Sequence, residues 1–479
     1  MKPLELFMMR TIRTIGFVLL FSALILACVP FRPTSTSIEP TLPKTYSRSA
    51  TTEPSDRWWK TFNDAQLNTL IEAALENNFS IKESWARLEQ LGALAVKSGA
   101  AFYPTLSVDA GASLGRQRTE NGQAVTNTVE KYSLGLLSQY EVDLWGRVRS
   151  EREAAVLSAS ATRSDFNTVA MTVAAAVTER WIRIISESIQ KQLLEKQLAA
   201  NQTVLELVEL RFRKSLASTL DVLQQRQIVA RSQAQIPLVE QRKQLLQNEL
   251  ALLLGKAPHA AAPIKRGTLI TIENLPATGI PARLLTARPD VQAAAQRLHM
   301  AKWRVSIARA DLLPNIQLSA RALYQAGELN LLLNNWLLNL AANLMAPIFD
   351  GHRRKAEVDR SRAVVDEKLA TYRRTVMTAI KEVEDALVSE AALREHIHGL
   401  TAQLNATQIA LEEARLRYRK GLNDYLPVLT SLLSVQNLER DLIQRQTDLL
   451  VTRVNLHRAL GGTWTDDLTK TKTNTPPKN

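Results

Sequence analysis

The chain has 479 residues and a formal charge of +13, long enough to bury a large core, and its richness in Ala, Leu, Gln, Arg and Glu with few glycines favours long helices. Its Lys and Arg are scattered among Asp and Glu instead of forming a compact block interleaved with aromatics, which argues against a nucleic-acid partner. Cys28 is the single cysteine, so structural disulfides within the chain are excluded.

Lys2, Arg10 and Arg13 precede an apolar run from Ile15 to Leu26 that ends in Ala27-Cys28. A charged start, a short apolar stretch and a small residue read as a secretory signal over residues 1–27. The run is short for a membrane span, although an uncleaved anchor with an incidental cysteine would look similar. Residues 28–57, rich in Pro, Ser and Thr, read as an extended tether. Asn63 to Ala100 has a helical pattern.

A first strand is expected at about residues 104–116, where Leu106, Val108, Ala110, Ala112 and Leu114 alternate with Ser107, Asp109, Gly111 and Ser113. A turn at Asn121-Gly122 follows. A second strand, about 131–145, places Tyr132, Leu134, Leu136, Tyr140, Val142 and Leu144 on one face. After Trp145-Gly146 the pattern becomes helical with no loop between. Gly146 to Lys214 contains no proline and no interior glycine, so it predicts one helix of roughly 100 Å. Thr219 to Leu254 predicts the returning helix, with a kink at Pro237.

This order is then written again. "RFRKSLASTLDVL" at Arg211–Leu223 matches "RYRKGLNDYLPVL" at Arg417–Leu429, an offset of 206 that also carries Leu254-Gly255 onto Leu460-Gly461. The repeats are assigned to 58–256 and 286–462, joined by a Pro-rich linker at 257–285 and followed by a disordered tail at 463–479. The second repeat supplies strands at about 315–326 and 335–349. Such strands are long enough to cross a bilayer, although a soluble sheet packed on helices alternates in the same way. Four strands cannot close a barrel, and lipid does not tolerate open sheet edges, so closure needs several chains. Three chains would give twelve strands continued by a helical tube, a mainly α fold with a transmembrane β part.

Together, "RWWKTFNDAQLNTLIEAALENN", "YEVDLWGRVR", "ARPDVQAAAQRLHMAKWRVSIARADLLPNIQL", "APIFDG", "YRRTVMTAIKEVEDAL", "RYRKGLNDYL" and "LHRALGGTW" closely resemble the TolC-like outer-membrane efflux channels, in the lipoprotein branch serving RND-type pumps. The resemblance implies a homotrimer with a 12-stranded β-barrel and an α-helical periplasmic tunnel. It implies a passive duct exporting small molecules, coupled by a periplasmic adaptor to an inner-membrane pump of RND type. Ile25-Leu26-Ala27-Cys28 resembles a bacterial lipobox, implying cleavage before Cys28 and acylation there. Val29 stands where an aspartate would favour the inner membrane, so the implied site is the outer membrane and its lipids. The two tips, Ser215 and Gly421, resemble adaptor-docking turns, with Ser215 where glycine is common. Tyr418 and Asp221 match positions that hold the family's gate shut, while the arginine partner position is Asn423. Leu426 aligns with a pore-constricting leucine. Pro427 and Thr430 stand where relatives carry an aspartate ring, implying weaker trapping of cations.

Nothing in the sequence asks for catalysis, a cofactor or a metal. His396 and His398 are two residues apart and point about 200° apart on a helix, so they cannot share an ion. There is no Gly-rich phosphate loop and no nucleophile elbow. A lipid-anchored periplasmic coiled-coil scaffold or adaptor without a pore is the competing class. The four two-faced strands separate the two, since a scaffold does not need them.

Overall fold

A computed structural model describes residues 30–32, 42–48, 57–120, 124–258, 260, 264–272 and 275–468. Cys28, the signal segment and the Asn121-Gly122 turn lie outside these residues. The first half comprises α1 (Ala65–Asn77), α2 (Phe79–Gly99), β1 (Thr105–Glu120), β2 (Ala124–Val142), α3 (Arg147–Arg213) and α4 (Thr219–Leu253). The second comprises α5 (Leu284–Ala287), α6 (Pro289–Ala310), β3 (Asn315–Ala326), β4 (Trp336–Met345), α7 (Arg353–Arg419) and α8 (Leu426–Leu460). Helices α3 and α7 each hold 67 residues and α4 and α8 each hold 35, so the duplication extends to element length.

The chain divides into two compact units that each draw on both halves: one holds Leu88–Thr162 and Ala294–Tyr372, the other Pro40–Arg87, Arg163–Ala293 and Arg373–Asn479. The first contains a four-stranded antiparallel meander in the order β1-β2-β3-β4. Its register carries one apolar face through all four strands: Val108 opposes Leu136, Leu136 opposes Ala322, and Ala322 opposes Leu338. Leu106, Val108, Trp336, Leu340 and Leu344 on that face are largely exposed, which is a poor arrangement in water and a favourable one in lipid. Among the described residues no helix is long and apolar enough to cross a membrane.

Strand β2 ends at Val142, short of the expected residue 145, for a local reason. The Asp143 carboxylate accepts from the backbone N–H groups of Val148 (3.0 Å) and Arg149 (2.9 Å), capping α3 before the strand can continue. Arg147 then reaches back to Glu141 at 2.6 Å, and Trp145 Nε1 donates to the Pro314 carbonyl at 2.6 Å. Strand β4 stops at Met345, before Pro347, which has no N–H to donate to a ladder.

Three further expectations are corrected. The single helix expected from Asn63 to Ala100 is broken at Asn78, whose Oδ1 accepts from Ser80 N and Ile81 N and so caps α2 as a separate helix. Tyr46, within the expected tether, is buried, and Ser47 N donates to Glu384 Oε1 at 2.9 Å. Burial and the nearby Glu384 push the Tyr46 hydroxyl up to about 12. In the expected tail, Trp464 and Thr465 are buried, with Trp464 edge-on to Trp59 at 4.7 Å. Helix α4 runs on through Pro237.

The second unit is built around Trp58, Trp59, Phe62, Phe166, Trp181 and the aliphatic residues of α3, α4 and α8. His457 stacks flat on Trp58, with centroids 5.2 Å apart, and its burial beside Arg453 lowers its pKa to about 3. A histidine kept neutral in the folded state while the unfolded chain takes up protons destabilises the fold as pH falls. Stability from this site is therefore full above about pH 6.5 and lost progressively down to about pH 3. His457→Phe should flatten the acid side of a Tm-against-pH profile over that interval; an unchanged slope would show that His457 does not resist protonation.

Candidate functional site

In the first unit the odd-numbered face of the sheet carries Ser107, Asp109, Gln139, Gln317, Ser319, Arg321 and Asn339. Asp109 on β1 and Arg321 on β3 meet at 3.3 Å across the intervening β2. Gly135, which opposes Asp109 on one side and Leu323 on the other, leaves the room they need. A Cβ there would come within 2.8 Å of Asp109 Oδ1, so a side chain at this position would displace the carboxylate. The polar face thus carries an ion pair that spans three strands.

In the second unit the two helical hairpins end in the same turn. Leu216 N donates to Arg211 O and Ser215 N to Phe212 O at the first tip; Leu422 N donates to Arg417 O and Gly421 N to Tyr418 O at the second. This bond pair is a Schellman ending, which requires a left-handed residue, and Ser215 (φ 52°) and Gly421 (φ 74°) supply it. Serine accepts that conformation at a cost of about 1–2 kcal/mol that glycine avoids.

Asp221 closes a capping box at the start of α4: its Oδ2 accepts from Ser218 N at 2.9 Å, and Ser218 Oγ accepts from Asp221 N at 3.1 Å. Tyr418 is buried, its ring 5.4 Å from that of Tyr425 and 4.4 Å from the Arg211 guanidinium carbon. Its hydroxyl lies on the Arg211 side and makes no hydrogen bond to Asp221, whose carboxylate caps its own helix. Burial raises the pKa of this phenol, as it does that of Tyr425. Leu426 is 58% exposed as the first residue of α8, and Pro427 follows it where a missing N–H costs nothing. Thr430 Oγ1 donates to Leu426 O at 3.0 Å.

A family model described as outer membrane efflux protein matches residues 70–256 and 280–462. The chain belongs to this family. It is 32% identical over 430 residues to a pyoverdine export outer membrane protein of Pseudomonas aeruginosa, OpmQ, covering 88% of this chain and 91% of the relative. It is 30% identical to the outer membrane protein OprJ of the same species, covering 85% and 86%. Among solved structures, the outer-membrane channel OprN superposes with a TM-score of 0.83 at 25% identity, covering 92% of this chain and 100% of that one. The outer membrane protein VceC of Vibrio cholerae gives 0.80 at 28% identity, covering 86% and 100%.

As an outer membrane efflux protein, the chain is one protomer of a trimeric channel. Three copies of its four-stranded sheet make a twelve-stranded barrel, which removes the open edges of β1 and β4. The apolar face meets lipid and the polar face lines the lumen. Besides the residues expected from the sequence, the structure brings Arg211, Asn201, Gln225 and Tyr425 into the same unit as the tips. Gln225 Nε2 donates to Asn201 O at 2.7 Å, and Tyr425 Oη donates to Gln225 Oε1 at 2.5 Å. The one available signal was the repeat itself, which pairs Arg211 with Arg417. His396 and His398 are exposed, and no cluster of metal-binding side chains occurs among the described residues.

Proposed function

We propose that this channel is the passive outer-membrane duct of a tripartite efflux system, with no catalytic step of its own. Its protomers are anchored by acylated Cys28 and docked through the Ser215 and Gly421 tips to a periplasmic adaptor, which joins them to an RND-type inner-membrane pump. The closed end is set by Leu426 and Thr430, with the Tyr418 ring and the Asp221-capped start of α4 supporting the tips. The observation that carries this reading is the two-faced sheet, with an exposed apolar face on one side and the Asp109–Arg321 pair on the other. A pore-free scaffold has no use for it. The pump selects cargo, and the relatives named for pyoverdine export make a siderophore-type metabolite the first cargo to test.

The test is ion selectivity in planar bilayers. Arg321→Glu replaces a positive charge by a negative one in each protomer and leaves Asp109 unpaired, so permeability should shift towards cations by at least about threefold. Unchanged selectivity would place Arg321 away from the lumen, and a trimer that never conducts would overturn the duct. Co-purification from cells at native expression identifies the adaptor and the pump class.

A further inference from the structure

Resting on the gate reading above, the structure assigns the closing latch to a buried polar chain that the family resemblance did not supply: Tyr425, Gln225, Asn201 and Gln436. Tyr425 is the residue before Leu426 and is fully buried. Its hydroxyl donates to Gln225 Oε1 on α4, and Gln225 Nε2 passes the connection to the Asn201 carbonyl on α3. Asn201 Oδ1 accepts from Gln436 Nε2 on α8 at 2.7 Å, which closes the circuit back to the helix that Tyr425 begins. All four side chains are at most 5% exposed.

This circuit joins the α7–α8 hairpin to the α3–α4 hairpin. An apolar seam between helices can slide with little penalty. A buried polar circuit has one satisfied arrangement, and leaving it strands several donors and acceptors away from water. The groups that the resemblance places at the gate are otherwise engaged: the Asp221 carboxylate caps its own helix, and the Tyr418 ring packs against the Arg211 guanidinium. Further along the same seam, Arg440 Nη1 donates to Gln197 Oε1 at 2.6 Å, and Gln197 sits four residues before Asn201, one helical turn away. The polar positions therefore fall on one stripe of α3 facing α8, as polar seam residues that fix register do. Swinging the α8 start away from α4 must first break the Tyr425–Gln225 bond. Tyr425 is a positioning residue: it acts on the lumen through Leu426, its neighbour in the chain.

The experiment uses the full-length trimer in planar bilayers, with Leu426→Gly as a separate comparison. Tyr425→Phe keeps the ring and deletes one hydroxyl, so it should raise the open fraction at least about fivefold. Gln225→Leu should do the same, and the double variant should open no more than either single one, because all three lose the same bond. A packing role would give additive losses of trimer stability without that shared ceiling. If Tyr425→Phe has wild-type conductance, the latch is overturned whatever Leu426→Gly does. If Tyr425→Phe opens the channel and Leu426→Gly does not, the latch stands and the constriction at Leu426 falls.

Discussion

Gly461→Ala is expected to cost about 3 kcal/mol or more and to cut the yield of folded trimer sharply. Gly461 ends α8 with φ 79° and ψ −155°, a region essentially reserved for glycine. Its missing side chain is also where another segment passes: a Cβ would overlap the Ala287 carbonyl oxygen, and the next residue, Gly462, donates to that oxygen at 3.0 Å. Neither partner can give way easily. Arg288, beside Ala287, is fixed by Asp290 at 2.6 Å, by Glu382 at 2.7 Å and by the Ala459 carbonyl at 3.2 Å. Gly255 repeats the arrangement in the first half, with φ 67° and the Asn77 carbonyl in the way of a Cβ. Gly255→Ala should therefore fail in the same manner. Thermal melting followed by circular dichroism on detergent-solubilised trimer measures the loss, and a wild-type Tm for Gly461→Ala would show that the Ala287 segment yields freely.

Those two glycines were visible in the sequence only as the ends of a repeat, and the same holds for much of the molecule. The strands announced themselves because one face meets lipid and the other water, so alternation survives in every strand. The long helices announced themselves by the absence of Pro and Gly. Boundaries depart from the sequence pattern where a single side chain decides them: Asp143 ends β2 by capping α3, and Asn78 divides what reads as one helix. Trp464 and Tyr46 looked like parts of loose termini because the cores that receive them come from distant segments. The latch was hidden for the same reason. Asn201 and Gln436 are 235 residues apart, and a lone amide on a helix reads as a solvated residue until its partner is placed opposite. Tip and gate positions came from resemblance, because no local pattern marks a residue whose role exists only around a threefold axis.

Leu426→Gly is expected to raise single-channel conductance at least about threefold and to sensitise cells to large antibiotics, because a ring of apolar side chains can close a narrow pore by excluding water. The protomer presents this residue in the manner such a ring requires. Leu426 is 58% exposed while Tyr425 is 1% exposed, so the buried neighbour fixes the backbone and the leucine cannot turn inward. Pro427 restricts the chain on the other side, and the Thr430 hydroxyl holds the Leu426 carbonyl. Thr430 spends its proton on that backbone bond and carries no charge, so position 430 itself adds no carboxylate beside Leu426. Adding Tyr418→Phe should raise conductance little further, since it keeps the ring that packs against Arg211 and Tyr425. Thr430→Asp should instead introduce three carboxylates per trimer and make the current sensitive to divalent cations, which prefer oxygen ligands. Conductance is the deciding measurement, because it responds to the width of the pore and not to the amount of protein made. If Leu426→Gly conducts like wild type, the narrowest point lies elsewhere, and the exposed leucine serves to pack neighbouring protomers together.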